Sequence, residues 1–141
     1  MDRHPLPVVG AFIFNKDNQL LLAKSYKWRD FWIVPGGHIE WGESIEQAVR
    51  REVKEEVGLD VEDVELVATY EGIFPKEFHE KKHFIYLQCR CKTSNDQKVK
   101  KDNREIQEYQ WFTLEEAKSL QNALGITKRT INLLAEKERN V

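Results

Sequence analysis

The sequence predicts an α/β (α+β) fold in which a mixed β-sheet lies between layers of helix. Segments of strand length alternate with a few helical patterns along the chain. A short polar turn separates the first two strand patterns, which indicates a hairpin and therefore a sheet that is not purely parallel. The 141 residues contain no linker-like or repetitive stretch, so we expect a single domain over residues 1–141.

Two strands are predicted near the N-terminus. Residues 7–14 (PVVGAFIF) form an apolar run suited to a buried strand, and residues 19–25 (QLLLAKS) follow the turn-forming stretch NKDN. Lys24 would lie near the end of the second strand, where its ammonium group could reach a phosphate or remain in solvent. Residues 32–37 (WIVPGG) then predict a short strand that ends in a glycine turn, with Trp32 expected in the core.

An amphipathic helix is predicted after this turn. Ser44 and Gln47 have the spacing of a capping box, and Gly58 is a suitable residue to end the helix. At about 100° per residue, one broad face is apolar and carries Ile45, Ala48, Val49, Val53 and Val57.

The apolar face of this helix also carries carboxylates. Glu52 and Glu56 fall within the apolar arc, and Glu55 lies at its edge beside Arg51. Acids that face a core repel one another and are costly to desolvate, and one arginine cannot neutralise three of them. The pattern therefore favours a bound divalent cation such as Mg²⁺, which takes oxygen ligands. A solvated acidic patch on a surface helix is the alternative.

The second half of the chain predicts three more strands and two more helices. The strands are expected at residues 61–70, 83–91 and 105–112, and the helices at residues 114–120 and 127–138. Thr113 and Glu116 form a second capping box, and the polar stretches at 76–82 and 93–103 are expected to be loops. Cys89 and Cys91 share one face of a strand, which is typical of core thiols.

Several classes of protein are disfavoured by composition. The net charge of −2 gives no general bias toward nucleic acid or anionic membranes, and no apolar run has the length of a membrane span. The N-terminus lacks the order of a signal peptide, so a cytoplasmic location is expected. Gly37 and Gly42 have the spacing of a phosphate-binding P-loop, but Glu43 stands where that loop needs lysine.

Residues 37–59 (GHIEWGESIEQAVRREVKEEVGL) resemble the Nudix box at every fixed position. Gly37 is followed after five residues by Glu43, and after seven more by the run REVKEEVGL. The resemblance implies the Nudix α/β/α sandwich. It also implies metal-dependent hydrolysis of a nucleoside diphosphate linked to another moiety X, in which water attacks a pyrophosphate bond and one to three Mg²⁺ or Mn²⁺ ions assist.

The same resemblance implies roles for individual residues. Glu52, Glu55 and Glu56 would be metal ligands, with the Gly37 carbonyl as a further oxygen, and Glu56 or Glu55 would be the general base. Arg51 would orient these glutamates.

Three further positions follow from the resemblance. Glu43 would fix the loop against the helix, and Gly58 belongs to the motif. Glu105 stands six residues before Trp111 and would be an additional metal ligand, with Glu108 as its competitor.

The substrate is left open by the sequence. The small size fits a MutT-like nucleoside triphosphate pyrophosphohydrolase, whereas Pro75, 16 residues beyond Leu59, resembles the mark of ADP-ribose and nucleotide-sugar pyrophosphatases. A catalytically idle nucleotide-binding domain is a third possibility, although every glutamate of the box is present.

We expect a small nucleotide as the partner, with neither nucleic acid nor membrane, and a homodimer is possible because the family often forms one. Candidate substrate contacts are Lys24, Trp41, Phe74 and His79.

Overall fold

The structure is a computed structural model that describes residues 3–94, 98–101 and 105–139. Of the polar stretch expected at 93–103, residues 95–97, 102 and 103 lie outside these ranges. In the described ranges the chain forms six strands and three α-helices. They are β1 (Leu6–Phe14), β2 (Leu20–Ser25), β3 (Gly36–His38), α1 (Ile45–Val57), β4 (Val61–Ile73), β5 (His83–Thr93), β6 (Ile106–Phe112), α2 (Leu114–Lys118) and α3 (Gly125–Arg139).

The described strands form one mixed sheet, as the sequence predicted. Its order is β4-β5-β1-β2-β6, and the short β3 pairs with β1. Strands β1 and β5 run parallel, while β1–β2, β1–β3, β2–β6 and β4–β5 are antiparallel. Strand β1 therefore has three partners and lies at the centre of the sheet.

Helices cover both faces of the sheet, which confirms the predicted α/β/α arrangement. On one face, Val49, Val53 and Val57 of α1 pack against side chains of β1 and β5, including Cys89 and Cys91. On the other face, α2 and α3 pack against residues of β1, β2 and β6 together with Trp32. No helix in the described ranges has both the length and the apolar character that a bilayer crossing requires.

Element boundaries differ from the predicted ones by a few residues. Strand β4 extends to Ile73 instead of ending at residue 70, and α3 begins at Gly125 instead of residue 127. Helix α2 ends at Lys118 because the N–H groups of Ser119 and Leu120 turn back to carbonyls three residues earlier.

The strand predicted at 32–37 also differs, since β3 covers Gly36–His38 and residues 32 and 33 make isolated bridges. Pro35 has no N–H to donate to a sheet ladder, which interrupts the strand there. The 3-10 turn Tyr26–Trp28 follows β2 directly.

Candidate functional site

Helix α1 is fixed at both ends by the caps that the sequence predicted. Ser44 Oγ accepts from the Gln47 N–H at 3.1 Å, and Gln47 Oε1 accepts from the Ser44 N–H at 2.9 Å. At the other end Gly58 has φ +70°, a left-handed conformation that glycine adopts without strain, and its N–H donates to the Lys54 carbonyl. The rotation of the helix, and hence the direction of its glutamates, is set by these caps and by the buried valines.

Arg51 is the centre of a hydrogen-bonded network at the start of the site. Its Nε and Nη2 donate to the two oxygens of Glu43 at 2.7 and 2.9 Å, and Nη2 also donates to the His38 carbonyl at 2.9 Å. Nη1 donates to Glu52 at 2.9 Å and to Glu55 at 3.3 Å. A guanidinium has five N–H groups, and these five bonds use all of them.

Glu43 ties the loop before α1 to the helix. Besides its two bonds from Arg51, it accepts a hydrogen bond from the Glu40 N–H at 3.0 Å. The Arg51 hydrogen bonds are the main cause that lowers the pKa of Glu43 to about 2, and Glu43 in turn raises the pKa of Arg51. Glu43 is therefore ionised at neutral pH.

Glu56 is a buried acid, and in the described residues Arg51 does not donate a hydrogen bond to it. It is 6% exposed, and its Oε2 accepts from the Gly36 N–H at 2.9 Å. Burial raises its pKa well above the ordinary value, and the negative charge of Glu52 raises it further. Burial also raises the pKa of Glu52 despite the neighbouring Arg51.

Strand β3 approaches the glutamates of α1 closely because its first two residues are glycines. A Cβ atom placed on Gly37 would lie 2.5 Å from Glu52 Oε1, and a Cβ on Gly36 would collide with the Val9 carbonyl oxygen. The backbone of Gly37 can therefore lie directly against the Glu52 carboxylate, and that of Gly36 directly against β1.

Glu105, the residue immediately before β6, joins this acidic group. Its negative charge raises the pKa of both Glu52 and Glu56, and its Oε1 accepts from Lys27 Nζ at 2.7 Å. Burial is the largest single influence on the pKa of Lys27 and lowers it, but the hydrogen bond to Glu105 and the negative charges nearby together raise the pKa above its ordinary value.

Glu105 and Glu108, the two candidates for an additional metal ligand, have different positions in the fold. Glu108 lies on β6 opposite Lys24, with Lys24 Nζ 3.4 Å from its carboxylate, and its side chain is 56% exposed. Glu105 lines the cavity described next, and Glu108 is absent from its wall.

One cavity of about 490 Å³ contains the acidic group. One part of its wall is charged and comprises Lys27, Glu40, Arg51, Glu52, Glu55, Glu56 and Glu105. Another part is aromatic and comprises Trp28, Phe78, Phe84 and Tyr86. Cavities of this size hold small organic ligands.

The aromatic wall is assembled from two segments distant in sequence. Phe78, in the turn between β4 and β5, packs on Trp28 with 4.6 Å between ring centroids and on Phe84 with 5.0 Å. The His79 N–H donates to the Lys27 carbonyl at 2.8 Å and holds this turn against the 3-10 turn. Flat apolar rings of this kind suit a nucleobase.

The four predicted substrate contacts lie outside the cavity wall. The Lys24 ammonium is 4.8 Å from the centroid of the Trp32 ring and faces Glu108. Trp41 lies in a turn before α1 and is fully exposed. Phe74, at 52% exposed, lies against Lys81, and His79 contacts Phe78 and Tyr26.

Several polar residues of the cavity wall were missed by sequence reasoning, among them Lys27 and Gln88. Lys27 lies within an aromatic-rich stretch, where the sequence pattern distinguishes the aromatic residues but not the lysine. Gln88 is 1% exposed, and its amide donates to Thr130 Oγ1 at 3.3 Å. A lone amide in the alternating apolar pattern of β5 was the available signal for Gln88.

The acidic group fits a divalent cation by its chemistry, although its side chains are not arranged around an ion. In the described residues, no three acidic, histidine or cysteine side chains surround a common point. Arg51 holds Glu52 and Glu55, and Lys27 holds Glu105. The carboxylates nevertheless outnumber the cations of the cavity wall, and hard divalent cations prefer such oxygen ligands.

Comparison with known proteins gives a match over nearly the whole chain. A family model described as the NUDIX domain matches residues 4–134. Nudix hydrolase 5 of Arabidopsis thaliana is 32% identical over 112 residues, which cover 77% of this chain and 36% of that protein. An RNA pyrophosphohydrolase of Aeromonas hydrophila is 48% identical over 63 residues, covering 45% of this chain and 35% of the relative. The chain thus spans little more than a third of the length of these relatives.

Solved structures with the same fold include a MutT NUDIX hydrolase from Burkholderia pseudomallei. Its TM-score is 0.77 at 24% identity, and the match covers 92% of this chain and 98% of that one.

Proposed function

This chain belongs to the NUDIX domain family, and from that premise we propose that it hydrolyses a pyrophosphate bond in a nucleoside diphosphate linked to a second moiety. Water would be the nucleophile, and one to three Mg²⁺ or Mn²⁺ ions would be the cofactor. The observation that carries the proposal is the cavity in which an acidic wall meets an aromatic one. The acidic wall suits phosphates that are bound through divalent cations, and the aromatic wall suits a nucleobase.

The ion is proposed to bind to Glu52, Glu56 and Glu105, with Glu55 and the Gly37 carbonyl as further oxygens. A divalent cation supplies positive charge to phosphate oxygens and lowers the pKa of bound water. Arg51 would keep Glu52 and Glu55 on the cavity side of α1, since it bonds both.

Glu56 is favoured over Glu55 as the general base. A proton acceptor works best when its pKa lies near the operating pH, and burial raises the pKa of Glu56 in that direction. Glu55 is more exposed and is bonded to Arg51. Proton transfer from water to Glu56 would then be the step that depends on pH.

For the moiety X, we propose a phosphate-containing group, as in a nucleoside triphosphate. The RNA pyrophosphohydrolase similarity supports a second candidate, the triphosphorylated 5′ end of an RNA, and then the expectation of no nucleic acid would fail. ADP-ribose or a nucleotide sugar is the remaining alternative. Pro75, on which that alternative depends, lies in the turn between β4 and β5 and outside the cavity wall.

The test is a substrate panel with product analysis. Nucleoside triphosphates, ADP-ribose, nucleotide sugars, dinucleoside polyphosphates and a 5′-triphosphorylated RNA oligonucleotide would be incubated with Mg²⁺, Mn²⁺ or EDTA. We expect cleavage of at least one of the phosphate-rich substrates with a divalent ion and none in EDTA. Nucleotide binding without hydrolysis of any substrate would instead identify an idle binding domain.

Two statements about context remain predictions. Sedimentation equilibrium distinguishes the possible homodimer, at twice the monomer mass, from a monomer. The expected cytoplasmic location would be visible by fractionation of the source cells.

A further inference from the structure

Only two lysine or arginine side chains belong to the cavity wall in the described part of the chain, Arg51 and Lys27. All five N–H groups of Arg51 are used by Glu43, Glu52, Glu55 and the His38 carbonyl. Arg51 could donate to a phosphate only by giving up one of these bonds. A phosphate that enters the cavity therefore needs another donor.

Lys27 has the donors that Arg51 lacks. An ammonium has three N–H groups, and one described side-chain bond of Lys27 uses one of them, the bond to Glu105 at 2.7 Å. The side chain is 32% exposed, so it is open to a ligand in the cavity.

The backbone of Lys27 is held on both sides. Its N–H donates to Ser25 Oγ at 3.3 Å, and its carbonyl accepts from the His79 N–H at 2.8 Å. The ammonium group is therefore presented from a fixed main chain.

Lys27 also lies between the acidic and the aromatic parts of the cavity wall. Its neighbour Trp28 belongs to the aromatic wall, while its ammonium contacts Glu105 of the acidic wall. A nucleotide with its base on the aromatic rings would carry its phosphates past this ammonium toward Glu52 and Glu56.

We propose that Lys27 binds a phosphate of the substrate, and that this phosphate replaces Glu105 as the partner of its ammonium group. Glu105 is thereby released from Lys27 and becomes available to the other acids of the cavity. This inference rests on the proposed function, because it assigns the phosphate contact of that same site. It gives Lys27 the role that the sequence had suggested for Lys24.

The first experiment measures binding without metal or turnover. Inorganic pyrophosphate and ADP would be titrated in EDTA into the wild-type protein and the Lys27→Gln and Lys27→Arg variants by calorimetry. A hydrogen bond to a charged group corresponds to a change of about tenfold to a hundredfold in affinity. We expect Lys27→Gln to weaken binding by that factor and Lys27→Arg to retain most of it.

The matched control is Lys54→Gln. Lys54 also forms a lysine–carboxylate pair, 3.2 Å from Asp60, but both side chains are exposed and lie outside the cavity. This control should bind both probes like the wild type. The inference is wrong if Lys27→Gln binds both probes as tightly as the wild type, whether or not Lys24→Gln binds them more weakly.

The second experiment tests the exchange of partners. Glu105→Gln should tighten pyrophosphate binding in EDTA, because the competing carboxylate is gone, and should slow metal-dependent turnover. The gain in binding should be absent when Lys27→Gln is also present, since a simple loss of negative charge would persist in the double variant. A gain that is equal in both backgrounds would overturn the exchange.

These outcomes separate the two proposals. Absence of hydrolysis by the wild-type protein counts against the proposed function, whereas binding in EDTA still decides the role of Lys27. With active protein, KM should rise in Lys27→Gln more than kcat falls, and an unchanged KM would contradict the phosphate contact. Should Lys27→Gln fail to fold by circular dichroism, Lys27→Met, which keeps the length of the side chain without its charge, takes its place in both experiments.

Discussion

Glu56 combines burial with a negative charge at the centre of the site. Its Oε2 accepts a hydrogen bond from the Gly36 N–H, and its neighbours Glu52 and Glu105 are also acids. A carboxylate in these surroundings destabilises the metal-free fold when it is ionised. The same property makes it a suitable ligand for a cation.

Replacing Glu56 by glutamine should therefore stabilise the metal-free protein and abolish activity. In the folded protein the pKa of Glu56 is raised above its value in the unfolded chain. Protonated Glu56 therefore favours the folded state fully at pH values below the unfolded pKa, and this contribution to the free energy of unfolding is lost as the pH rises through the folded pKa. The melting temperature of Glu56→Gln in EDTA should exceed that of the wild type by a margin that widens above about pH 4.5, while turnover falls by orders of magnitude. Glu62→Gln, at an exposed position of β4, is the control. Near-normal turnover in Glu56→Gln would exclude an essential role.

The contribution of Glu43 to stability should depend on pH in the opposite direction. Its folded pKa is lowered to about 2, so its stabilising effect is present above the ordinary carboxyl value and is lost as the pH falls toward 2. In urea denaturation, Glu43→Gln should be less stable than the wild type at pH 7, and the difference should shrink steadily below about pH 5. Glu46→Gln, at an exposed position of α1, should show little such change. A difference that is constant with pH would argue against the Arg51 contact.

Sequence reasoning located the acids of α1 because a helix fixes their relative directions at short range. It could not pair Lys27 with Glu105, which are separated by 78 positions, or choose Glu105 over Glu108. Those contacts depend on how β2 and β6 meet, and a β-bulge between Lys24 and Ser25 shifts the register there. Neither the bulge nor its position has a signal in the sequence pattern.

Helix α1 is the element in which local sequence and global fold agree most closely. The capping box, the glycine end and the buried valines were all predicted, and all are present. The strand at 32–37 was placed less well because its pairing depends on β1 and on Pro35. The boundaries of α1 thus follow from residues close to it in sequence, whereas those of the strand depend on pairing with residues distant in sequence.

Removal of the N-cap of α1 should have a measurable cost. Ser44→Ala deletes the acceptor for the Gln47 N–H, and the free energy of unfolding should fall by about 1 kcal/mol. Ser44→Asp, which also caps helices, should restore most of the loss. Urea denaturation at pH 7 measures both, and Ser119→Ala, at an exposed helix end, serves as the comparison. Equal stability of Ser44→Ala and wild type would contradict the cap.

At the scale of the whole molecule, the candidate site draws its walls from many elements. The acids come from α1 and the residue immediately before β6, while the aromatic rings come from β5 and two turns. Binding of an ion to the folded state alone therefore stabilises the entire domain, since unfolding would separate these ligands.

Mg²⁺ or Mn²⁺ should accordingly raise the melting temperature, and EDTA should reverse the increase. At a metal concentration a hundred times the dissociation constant, the added stability is about 2.7 kcal/mol. Glu56→Gln should show a much smaller increase, whereas Lys54→Gln should respond like the wild type. Differential scanning calorimetry provides the measurement, and a wild-type melting temperature that is insensitive to either ion would count against the metal site.

The three partners of β1 have a consequence for how the protein opens. Its main chain is hydrogen-bonded to β5 on one side and to β3 and β2 on the other, so its amide hydrogens become accessible only when the sheet itself comes apart. In deuterated solvent these amides should exchange among the last of the described strands. The turn that carries Phe78, docked on Lys27 by one main-chain bond, should exchange early. A ligand could then enter and leave through local opening of that turn while the centre of the domain stays folded.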